Sequence, residues 1–318
     1  MRRVLVTGGA GYIGSVVVKS LIGKNHEVVV VDNLANGKVE NISGDALFYK
    51  LDLNNISDLR EVFSKHEFDA VIHIAAYKSV DESMKNASKY CDNIIGTINL
   101  LKVMVEYGVQ KIIFSSSAAV YGILEEGVAT EETVTSPVNF YGFTKLECER
   151  IIEWFSEIHD VRYVFLRYFN VAGDVLGYID PDAMNIFPIL MENVIGKRER
   201  FTIFGDDYDT FDGTCVRDYI HVSDLADAHI KSLELNDNNI INLGTSEGKS
   251  VKEIVSATEE VTGKKLNVSV GGRRVGDPAV LLASNELAKN LLGWRPKYTI
   301  HDIISSTYEA YRKNGISE

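Results

Sequence analysis

The chain has 318 residues, of which 45% are hydrophobic and 25% are charged. This composition is typical of a globular protein and excludes a disordered or fibrous chain. With 33 basic and 45 acidic residues the formal net charge is −12, which disfavours binding to nucleic acid or to an anionic membrane surface. No stretch approaches the roughly 20 apolar residues of a membrane span. The three cysteines form no CxxC pair, which favours a reducing, cytoplasmic location over a disulfide framework.

Short β-branched runs alternate with longer helical patterns in the first half of the chain. The apolar runs are Val4–Val6, Val28–Val31, Ala70–Ile74, Ile112–Phe114 and Tyr163–Leu166. Strands that alternate with helices predict βαβ units, and runs that are apolar on both faces suit strands buried between helix layers. The predicted fold class is therefore α/β: a doubly wound parallel (Rossmann) sheet, followed by a smaller, mixed α/β C-terminal lobe.

The alternation breaks down near Asp174, where loops, short strands and shorter helices begin. This change predicts a nucleotide-binding domain over residues 1–172 and a substrate-binding lobe over residues 173–318. The boundary is not sharp, because residues 216–235 have the pattern of a further strand and helix that could rejoin the first sheet.

The first strand runs directly into a glycine-rich segment, Thr7–Gly14, with the spacing G-x-x-G-x-x-G. Gly8 and Gly11 allow a tight turn that approaches a pyrophosphate, and Gly14 allows the following helix to pack closely on the sheet. The helix N-terminus then offers free N–H groups to the anion. Asp32 follows at the end of the second strand, where a carboxylate suits a ribose 2′-hydroxyl and repels a 2′-phosphate. The pattern predicts NAD rather than NADP.

A second constellation combines Tyr141 and Lys145 with three serines, Ser115–Ser117, at the end of an earlier strand. If Tyr141 opens a helix, Lys145 lies one turn further on the same face. An ammonium group there would lower the tyrosine pKa from about 10, so that the phenolate could take a proton from a hydroxyl group and return it.

Six stretches together resemble the extended short-chain dehydrogenase/reductase family: Thr7–Gly14, Asp32–Leu34, His73–Lys78, Ser115–Gly122, Tyr141–Lys145 and Leu166–Asn170. Within that family, Phe204–Tyr208 and Asp212–Val222 resemble the UDP-hexose 4-epimerases. The resemblance extends from residue 2 to about residue 300. It implies an NAD-dependent isomerase that interconverts UDP-glucose and UDP-galactose through a transient 4-keto-hexose.

The resemblance also implies roles for individual residues. The implied catalytic residues are Ser117, Tyr141 and Lys145. The residues implied to bind NAD are Gly8, Gly11, Tyr12, Ile13, Gly14, Asp32, Asn33, Leu34, Asn36, Gly37, Asp52, Leu53, Ala75, Ala76, Lys78, Asn93, Ser115, Tyr141, Lys145, Tyr168 and Phe169. The residues implied to bind the UDP-sugar are Lys78, Ser117, Tyr141, Asn170, Asn185, Ile186, Phe204, Arg217, Tyr219, Arg274 and Asp277.

Related enzymes on this scaffold catalyse other reactions and must be weighed. Sugar-nucleotide dehydratases carry an acidic pair directly after the catalytic Ser or Thr, and UDP-glucuronate decarboxylases carry a glutamate there. This chain has Ala118 and Ala119 at those places, which favours an epimerase. A non-catalytic NAD-binding sensor or scaffold is an alternative of another class, but such proteins usually lack the tyrosine or the lysine.

The sequence leaves the identity of the sugar open. Leu281 occupies a place where the family varies residue size beside the sugar, and leucine is intermediate, so a UDP-N-acetylglucosamine or UDP-glucuronate 4-epimerase remains an alternative. The segment Gly173–Asn185 is shorter than in typical bacterial relatives.

The resemblance further implies a homodimer formed through helices at 92–106 and 141–157. His221, Asp224, Asp227 and His229 place no histidine pair four residues apart, so no metal site is expected.

Overall fold

The five apolar runs of the first half lie in five strands of a seven-stranded sheet in which every pairing is parallel. The structure is a computed structural model that describes residues 1–124, 127–179, 185–274 and 277–315. Numbered along the chain and given in spatial order, the strands are β11 (Asn239–Leu243), β7 (Arg162–Tyr168), β5 (Lys111–Ser117), β4 (Ala70–His73), β1 (Arg3–Thr7), β2 (Glu27–Asp32) and β3 (Leu47–Lys50). The predicted α/β class is confirmed.

Helices cover both faces of this sheet. They are α1 (Tyr12–Gly23), α2 (Ile56–Lys65), α3 (Val80–Ser83), α4 (Ala87–Glu106), α5 (Phe140–His159) and α7 (Val222–Ser232). One apolar cluster joins the sheet to α1 and α7, and a second joins the opposite face to α2, α4 and α5. The strands are buried on both sides, which explains why their sequences are almost continuously apolar.

The chain reverses its direction of winding between β1 and β4, because β2 follows on one side of β1 and β4 lies on the other. In doubly wound sheets the crevice at this point, outside the carboxyl ends of the strands, is where ligands bind. Thr7 and Asp32 end β1 and β2, and Ser117 ends β5. The strand ends that carry the predicted cofactor and catalytic residues therefore converge on one edge of the sheet.

The second lobe contains a mixed sheet and a separate two-stranded pair. The mixed sheet comprises β6 (Val128–Ala129), β8 (Asn170–Ala172), β10 (Val216–His221), β12 (Gly248–Ser250) and β14 (Val280–Ala283), and the pair comprises β9 (Phe201–Phe204) and β13 (Val268–Gly271). The remaining helices are α6 (Ile186–Val194), α8 (Val251–Thr262), α9 (Glu286–Leu292) and α10 (Ile300–Gly315). A third apolar cluster holds α6, α8 and α10 together.

The strand at 216–221 is formed, but it pairs with β8, β12 and β14 rather than with the seven-stranded sheet. The chain returns to the first sheet through β11, which pairs with β7. The helix α7 packs against α1 on the same sheet. The two lobes are thus interleaved, because the strand that completes the nucleotide sheet lies about 70 residues beyond the predicted boundary.

Candidate active site

The glycine-rich turn joins β1 to α1. Gly8 has a φ of +74°, and a Cβ atom on it would lie 2.7 Å from the backbone nitrogen of Ala75. A Cβ atom on Gly14 would lie 2.0 Å from the Gly8 carbonyl oxygen. The N-cap residue of α1 is Gly11, which has no side chain that could accept a hydrogen bond from the first N–H groups of the helix. The first N–H groups of α1 therefore have no side-chain cap, and such uncapped groups at a helix N-terminus can bind an anion.

Asp32 is held at the carboxyl end of β2, beside this turn. Its carboxylate accepts hydrogen bonds from the backbone nitrogens of Ala10 at 3.0 Å and Leu34 at 2.8 Å. The amide of the neighbouring Asn33 donates to Asp52 at 2.9 Å. These contacts hold the Asp32 carboxylate at the end of β2 beside the turn, and a carboxylate at that position would suit a ribose diol and repel a 2′-phosphate.

A segment from the second lobe lies across the turn. The Tyr12 hydroxyl donates to the carbonyl of Gly173, and the Tyr12 and Tyr178 rings are 5.5 Å apart. The Tyr178 hydroxyl donates to the carbonyl of Asn36 at 3.3 Å. Sequence reasoning selected Tyr12 and Asn36 but missed Tyr178. Residues 180–184 of the shortened segment lie outside the described part of the chain.

Asn93 supports the loop that follows β4. Its side-chain oxygen accepts from the Tyr77 backbone nitrogen at 2.8 Å, and its nitrogen donates to the Tyr77 carbonyl at 3.1 Å. The same nitrogen donates to the Thr144 hydroxyl at 3.2 Å. Asn93 thus ties the predicted cofactor residues Ala75–Lys78 to α5, which is a supporting contact that the sequence pattern did not indicate.

The predicted catalytic residues meet where α5 begins beside the end of β5. The Asn139 side chain caps α5 by accepting from the Gly142 nitrogen at 2.8 Å, which places Tyr141 in the first turn. The Ser117 hydroxyl hydrogen-bonds the Tyr141 phenol and accepts from the Ala119 nitrogen at 3.2 Å. One turn later, the Lys145 ammonium donates to the Ser115 carbonyl at 2.7 Å.

The electrostatics of Tyr141 differ from the sequence-based expectation. Burial raises the pKa of Tyr141, and the hydrogen bond from Ser117 opposes that rise. Burial also lowers the pKa of Lys145, to about 8. The Lys145 ammonium is directed at the Ser115 carbonyl rather than at the Tyr141 phenol. With a raised pKa, Tyr141 is a phenol at neutral pH, and positive charge placed nearby would favour its phenolate.

A buried hydrogen-bond chain lies behind these residues. The Tyr168 hydroxyl is bonded to the Ser115 hydroxyl and lies 2.7 Å from Nε2 of His229. Nδ1 of His229 lies 2.9 Å from the Leu225 carbonyl, which assigns the ring proton to Nδ1. Tyr168 is therefore buried as a positioning contact to Ser115. The adjacent Phe169 is buried as well and donates its backbone N–H to the Leu243 carbonyl.

The buried neutral imidazole of His229 makes stability depend on pH. Burial lowers its pKa to about 4, whereas a histidine in the unfolded chain takes a proton near pH 6.5. The unfolded state therefore binds the extra proton first, and His229 alone should lower the free energy of unfolding by about 3 kcal/mol between pH 6.5 and 4. We expect His229→Gln to lose this contribution in thermal melts and to keep the rest of the slope, since His73 and His221, with pKa values lowered to about 3 and about 4, retain their own. The exposed His301→Gln variant is the control, and an equal slope in all three proteins would contradict the assignment.

In the second lobe, the substrate candidates line the mixed sheet. Asn170 and Tyr219 are register partners in β8 and β10, and the Asn170 amide donates to the Asp218 carbonyl at 3.0 Å. The Arg217 guanidinium lies 2.5 Å from the Asp277 carboxylate. Two predicted ligand residues are thus paired with each other, and an incoming diphosphate would compete with Asp277 for Arg217.

The other substrate candidates lie on separate elements. The Arg274 guanidinium stacks 4.1 Å above the Phe204 ring at the end of β9. Asn185 caps α6 without a side-chain cap hydrogen bond, and Ile186 opens that helix. Leu281 is the register partner of Arg217 and packs against the apolar cluster that contains Ala118 and Phe169. Leu281 therefore lies beside Arg217 on the neighbouring strand and contacts the cluster that contains Ala118, the residue after Ser117.

Two buried charged residues behind the catalytic residues were missed by sequence reasoning. Glu149 on α5 and Arg167 on β7 form an ion pair with bonds of 3.0 and 2.6 Å. The available signals were a glutamate one turn after Lys145 and an arginine inside the apolar strand Tyr163–Tyr168. Both residues are exposed by less than 6% of their side-chain surface.

The described part of the chain contains no group of three or more His, Cys, Asp or Glu residues placed to hold a metal ion. His221, Asp224, Asp227 and His229 have other partners: His221 caps α7, Asp224 accepts from the backbone of Lys297 and Tyr298, Asp227 lies 3.8 Å from the Lys231 ammonium, and His229 hydrogen-bonds Tyr168. None of the helices within the described ranges is both long and apolar enough to cross a membrane.

With this geometry established, comparisons with known proteins decide the family. The model of the NAD dependent epimerase/dehydratase family matches residues 4–244, which is more than half of the chain. The chain belongs to the NAD dependent epimerase/dehydratase family. The UDP-glucose 4-epimerase of Halalkalibacterium halodurans is 45% identical over 304 residues, covering 93% of this chain and 91% of that protein.

Solved structures give the same result. The UDP-glucose 4-epimerase from Bifidobacterium longum, in complex with NAD+ and UDP, aligns with a TM-score of 0.92 at 38% identity and 98% coverage of both chains. The UDP-Glc/GlcNAc 4-epimerase from Campylobacter jejuni aligns with a TM-score of 0.88 at 37% identity, covering 98% of this chain and 100% of that one. The epimerase/dehydratase fold therefore extends over both lobes.

The residues present fit the NAD of the epimerase/dehydratase family. Added Cβ atoms at Gly8 and Gly14 would occupy the close approaches that form the turn, so the turn is shaped for a ligand that lies against backbone. The N-terminus of α1 provides its N–H groups, and Asp32 provides the acceptor for a ribose. This donor and acceptor set matches a dinucleotide without a 2′-phosphate.

Gly14→Ala should weaken NAD binding. The new Cβ atom would meet the Gly8 carbonyl oxygen at 2.0 Å, so the turn and α1 must separate and the N–H groups must move. We expect at least about a tenfold loss in NAD affinity, measured by calorimetry on protein stripped of cofactor. Gly23→Ala is the control, because no atom lies within 4 Å of its added Cβ. An unchanged affinity in Gly14→Ala would exclude the turn as the pyrophosphate site.

Proposed function

We propose that this protein is an NAD-dependent 4-epimerase that interconverts UDP-glucose and UDP-galactose through a transient 4-keto-hexose. The observation that carries the proposal is the meeting of Ser117, Tyr141 and Lys145 at the edge of the sheet where the dinucleotide turn lies. Relatives named UDP-glucose 4-epimerase cover nearly the whole chain, and solved relatives hold NAD and UDP, which supports the same assignment.

Tyr141 acts as the base and then as the acid. Its phenolate would take the proton from the sugar 4-hydroxyl as C4 is oxidised to the ketone, and its phenol would return that proton to the oxygen when the ketone is reduced on its opposite face. NAD, when bound, would accept the hydride and return it, and its oxidised ring would add positive charge that favours the phenolate. No net oxidation occurs, so one cofactor serves many turnovers.

Ser117 and Lys145 prepare this proton transfer. The Ser117 hydroxyl lies against the Tyr141 phenol and can donate to the 4-oxygen of the sugar. The Lys145 ammonium, which contacts the Ser115 carbonyl in this structure, can reach toward a nicotinamide ribose and add positive charge beside Tyr141. Both effects lower the free energy of the phenolate.

The uridine diphosphate anchors the substrate in the second lobe and leaves the sugar free to turn over. Arg217 and Arg274 are the cations for the diphosphate. Phe204 offers a ring face, and Asn170, Tyr219 and Asp277 line the same region. Asn185, Ile186 and Lys78 complete the proposed set of substrate contacts.

Two residues restrict the reaction to epimerisation. Ala118 and Ala119 follow the catalytic serine in a short 3-10 turn, and neither can supply the acid and base that expulsion of the sugar 6-hydroxyl requires. A keto intermediate formed here can therefore only be reduced again.

The competing substrate is a UDP-N-acetylhexosamine. Leu281 is half-buried between Arg217 and the cluster around Ala118, and a leucine there leaves more room than a tyrosine would. The relative from Campylobacter jejuni, named as acting on both glucose and N-acetylglucosamine, supports this second candidate.

One assay tests the proposed function. Purified protein with NAD is incubated separately with UDP-galactose, UDP-N-acetylgalactosamine and UDP-galacturonate, and the products are separated by chromatography. Conversion of UDP-galactose to UDP-glucose is the expected result. Conversion of only UDP-N-acetylgalactosamine or only UDP-galacturonate would mean that the proposed substrate is wrong. Conversion of none of the three would favour a non-catalytic NAD-binding protein.

A homodimer is part of the proposal. The neighbouring helices α4 and α5 expose apolar side chains that a second copy could cover, including Trp154 at 67%, Ile158 at 66% and Ile95 at 45% exposure. We expect twice the chain mass in light scattering for the wild type and the chain mass for Trp154→Glu, because a buried charge would oppose the contact. Leu291→Glu, an exposed apolar residue on α9, is the control. A monomeric wild type would refute the dimer.

The proposal also includes a cytoplasmic location and excludes nucleic acid and membranes as partners. Cys91, Cys148 and Cys215 are free thiols in the structure, as in proteins of reducing compartments. The net charge of −12 opposes association with polyanions.

A further inference from the structure

The ion pair between Glu149 and Arg167 connects the two elements that carry the proposed catalytic residues. Glu149 lies on α5, four residues after Lys145, and so on the same face of the helix. Arg167 lies on β7 as the register partner of Ser116 on β5. The Ser116 hydroxyl donates to the Glu149 carboxylate, and Ser116 directly precedes Ser117.

Every nitrogen of the Arg167 guanidinium has a defined partner. Nε and one terminal nitrogen donate to Glu149, at 3.0 and 2.6 Å, and the other terminal nitrogen donates to the Tyr121 hydroxyl at 3.1 Å. The Tyr121 hydroxyl in turn donates to the Asn242 side chain on β11 at 2.7 Å. The network therefore joins α5, β5, β7, β11 and the turn that follows Ser117.

Stability alone is a poor explanation for this pair. Glu149 and Arg167 are exposed by 2% and 5%, so both charges have lost their hydration. A buried ion pair usually gains little over apolar residues of the same volume, although removal of one partner alone is strongly destabilising. What the pair does provide is a fixed, bidentate geometry between the helix and the strands.

The pair also places a carboxylate one helical turn from Lys145 and bonds it to Arg167. The Lys145 ammonium is buried, and Glu149 and Cys148 are the groups that counteract the lowering of its pKa by burial. Arg167 holds the Glu149 carboxylate on the side of the strands. Without Arg167, a free carboxylate one helical turn away would compete for the ammonium and draw it from the Ser115 carbonyl.

Other titratable groups face this region and must be considered in any pH dependence. They are His73 on β4, Tyr141, Cys148 and Glu153 on α5, Tyr163 and Tyr168 on β7, Tyr121 after β5, and Glu131. Among the described residues of this region, the bidentate ion pair is the one between Glu149 and Arg167, and none of the groups just named forms another.

We propose that Glu149 and Arg167 are positioning residues. They hold Ser117, Tyr141 and Lys145 in fixed positions relative to one another and keep the Lys145 ammonium free to contact the cofactor. This inference rests on the proposed epimerase function and deepens it. It makes a specific prediction about the Lys145 pKa. Removing the Glu149 charge should lower this pKa, and removing the Arg167 charge should raise it. Removing both charges should restore the wild-type pKa without restoring the positions of the catalytic residues.

The test compares Glu149→Gln, Arg167→Met and the double variant as NAD-loaded proteins. In Glu149→Gln, the unpaired Arg167 and the lost carboxylate lower the Lys145 pKa, so the alkaline limb of the kcat/KM profile should move to lower pH by about half a unit or more. In Arg167→Met the same limb should move to higher pH. The double variant should keep the wild-type limb, with kcat reduced at least about tenfold and KM within about threefold.

Further variants keep the test decisive if a single substitution prevents folding. Ser116→Ala removes one hydrogen bond, and Arg167→Lys keeps the charge but loses the fork; both should lower kcat and leave the limb in place. The Lys145 pKa is also measured without turnover, by NMR titration of labelled lysine. Glu106→Gln and Arg60→Met, at an exposed pair with two bonds of 2.7 Å, are matched controls that should change neither quantity.

The outcomes separate the two proposals. Opposite movements of the limb and of the Lys145 pKa support the positioning role. If the wild type is active and the limb moves in the same direction in Glu149→Gln and Arg167→Met, or moves in neither, the positioning role is overturned. A purely structural pair would reduce activity without moving the pH profile. A wild type that converts no UDP-hexose contradicts the proposed function, and the lysine titration still decides whether the pair controls Lys145.

Discussion

Tyr141→Phe should lower kcat for UDP-galactose by about a thousandfold at neutral pH and leave NAD affinity within about threefold of the wild type. The phenol is the group placed to accept and return the 4-hydroxyl proton, and general acid–base groups contribute about 10² to 10⁴ in rate. The ring itself remains, so the hydrophobic contacts at the start of α5 are retained.

The measurement is single-turnover and steady-state epimerisation followed by chromatography of the UDP-sugars, with calorimetry for NAD. Tyr107→Phe is the matched control, because Tyr107 is a half-exposed tyrosine at the end of α4, away from the site. A Tyr141→Phe protein with at least a third of wild-type kcat would show that another group moves the proton. Equal and negligible rates in wild type and variant would instead favour the sensor or scaffold.

Lys145→Met should lower kcat by about a hundredfold at pH 7 and move the acidic limb of the kcat profile to higher pH by about one unit or more. Burial already raises the pKa of Tyr141 in the free protein, so the phenolate depends on positive charge nearby. Methionine keeps the length and apolar contacts of the lysine stem but carries no charge. The rate should therefore recover partly as the pH is raised.

The recovery distinguishes an electrostatic role from a structural one. A collapsed site would lose rate equally at every pH, whereas a site that lacks only the ammonium regains phenolate at high pH. Lys102→Met, on the surface of α4, is the control and should give the wild-type profile. A loss in Lys145→Met that is the same at every pH would contradict the proposed role of the ammonium.

Much of the nucleotide-binding half was determined by the sequence, because its signals are local. The apolar runs became β1, β2, β4, β5 and β7, since a strand buried on both faces must be apolar throughout. The glycine spacing became the turn before α1, and the four-residue spacing of Tyr141 and Lys145 became one helical turn of α5. These relations depend on neighbouring residues and survive any tertiary arrangement.

The tertiary structure alone decided the contacts between distant segments. The sequence pattern at 216–221 correctly indicated a strand, but only packing showed that β10 joins the smaller sheet and that β11 completes the larger one. The pairing of Arg217 with Asp277 joins residues 60 positions apart, and neither side chain indicates its partner in the sequence. Likewise, nothing local shows that Asn93 supports the loop after β4.

Glu149 and Arg167 illustrate the physical reason. In the sequence, a glutamate on a helix is most simply a solvated charge, and an arginine in an apolar strand is an exception without an explanation. The cost of burying each charge is met only when the other is present with the correct geometry, and that depends on how α5 packs against β5 and β7. The sequence by itself determined the elements and the residue types at the site, whereas the packing of those elements determined which charges face one another.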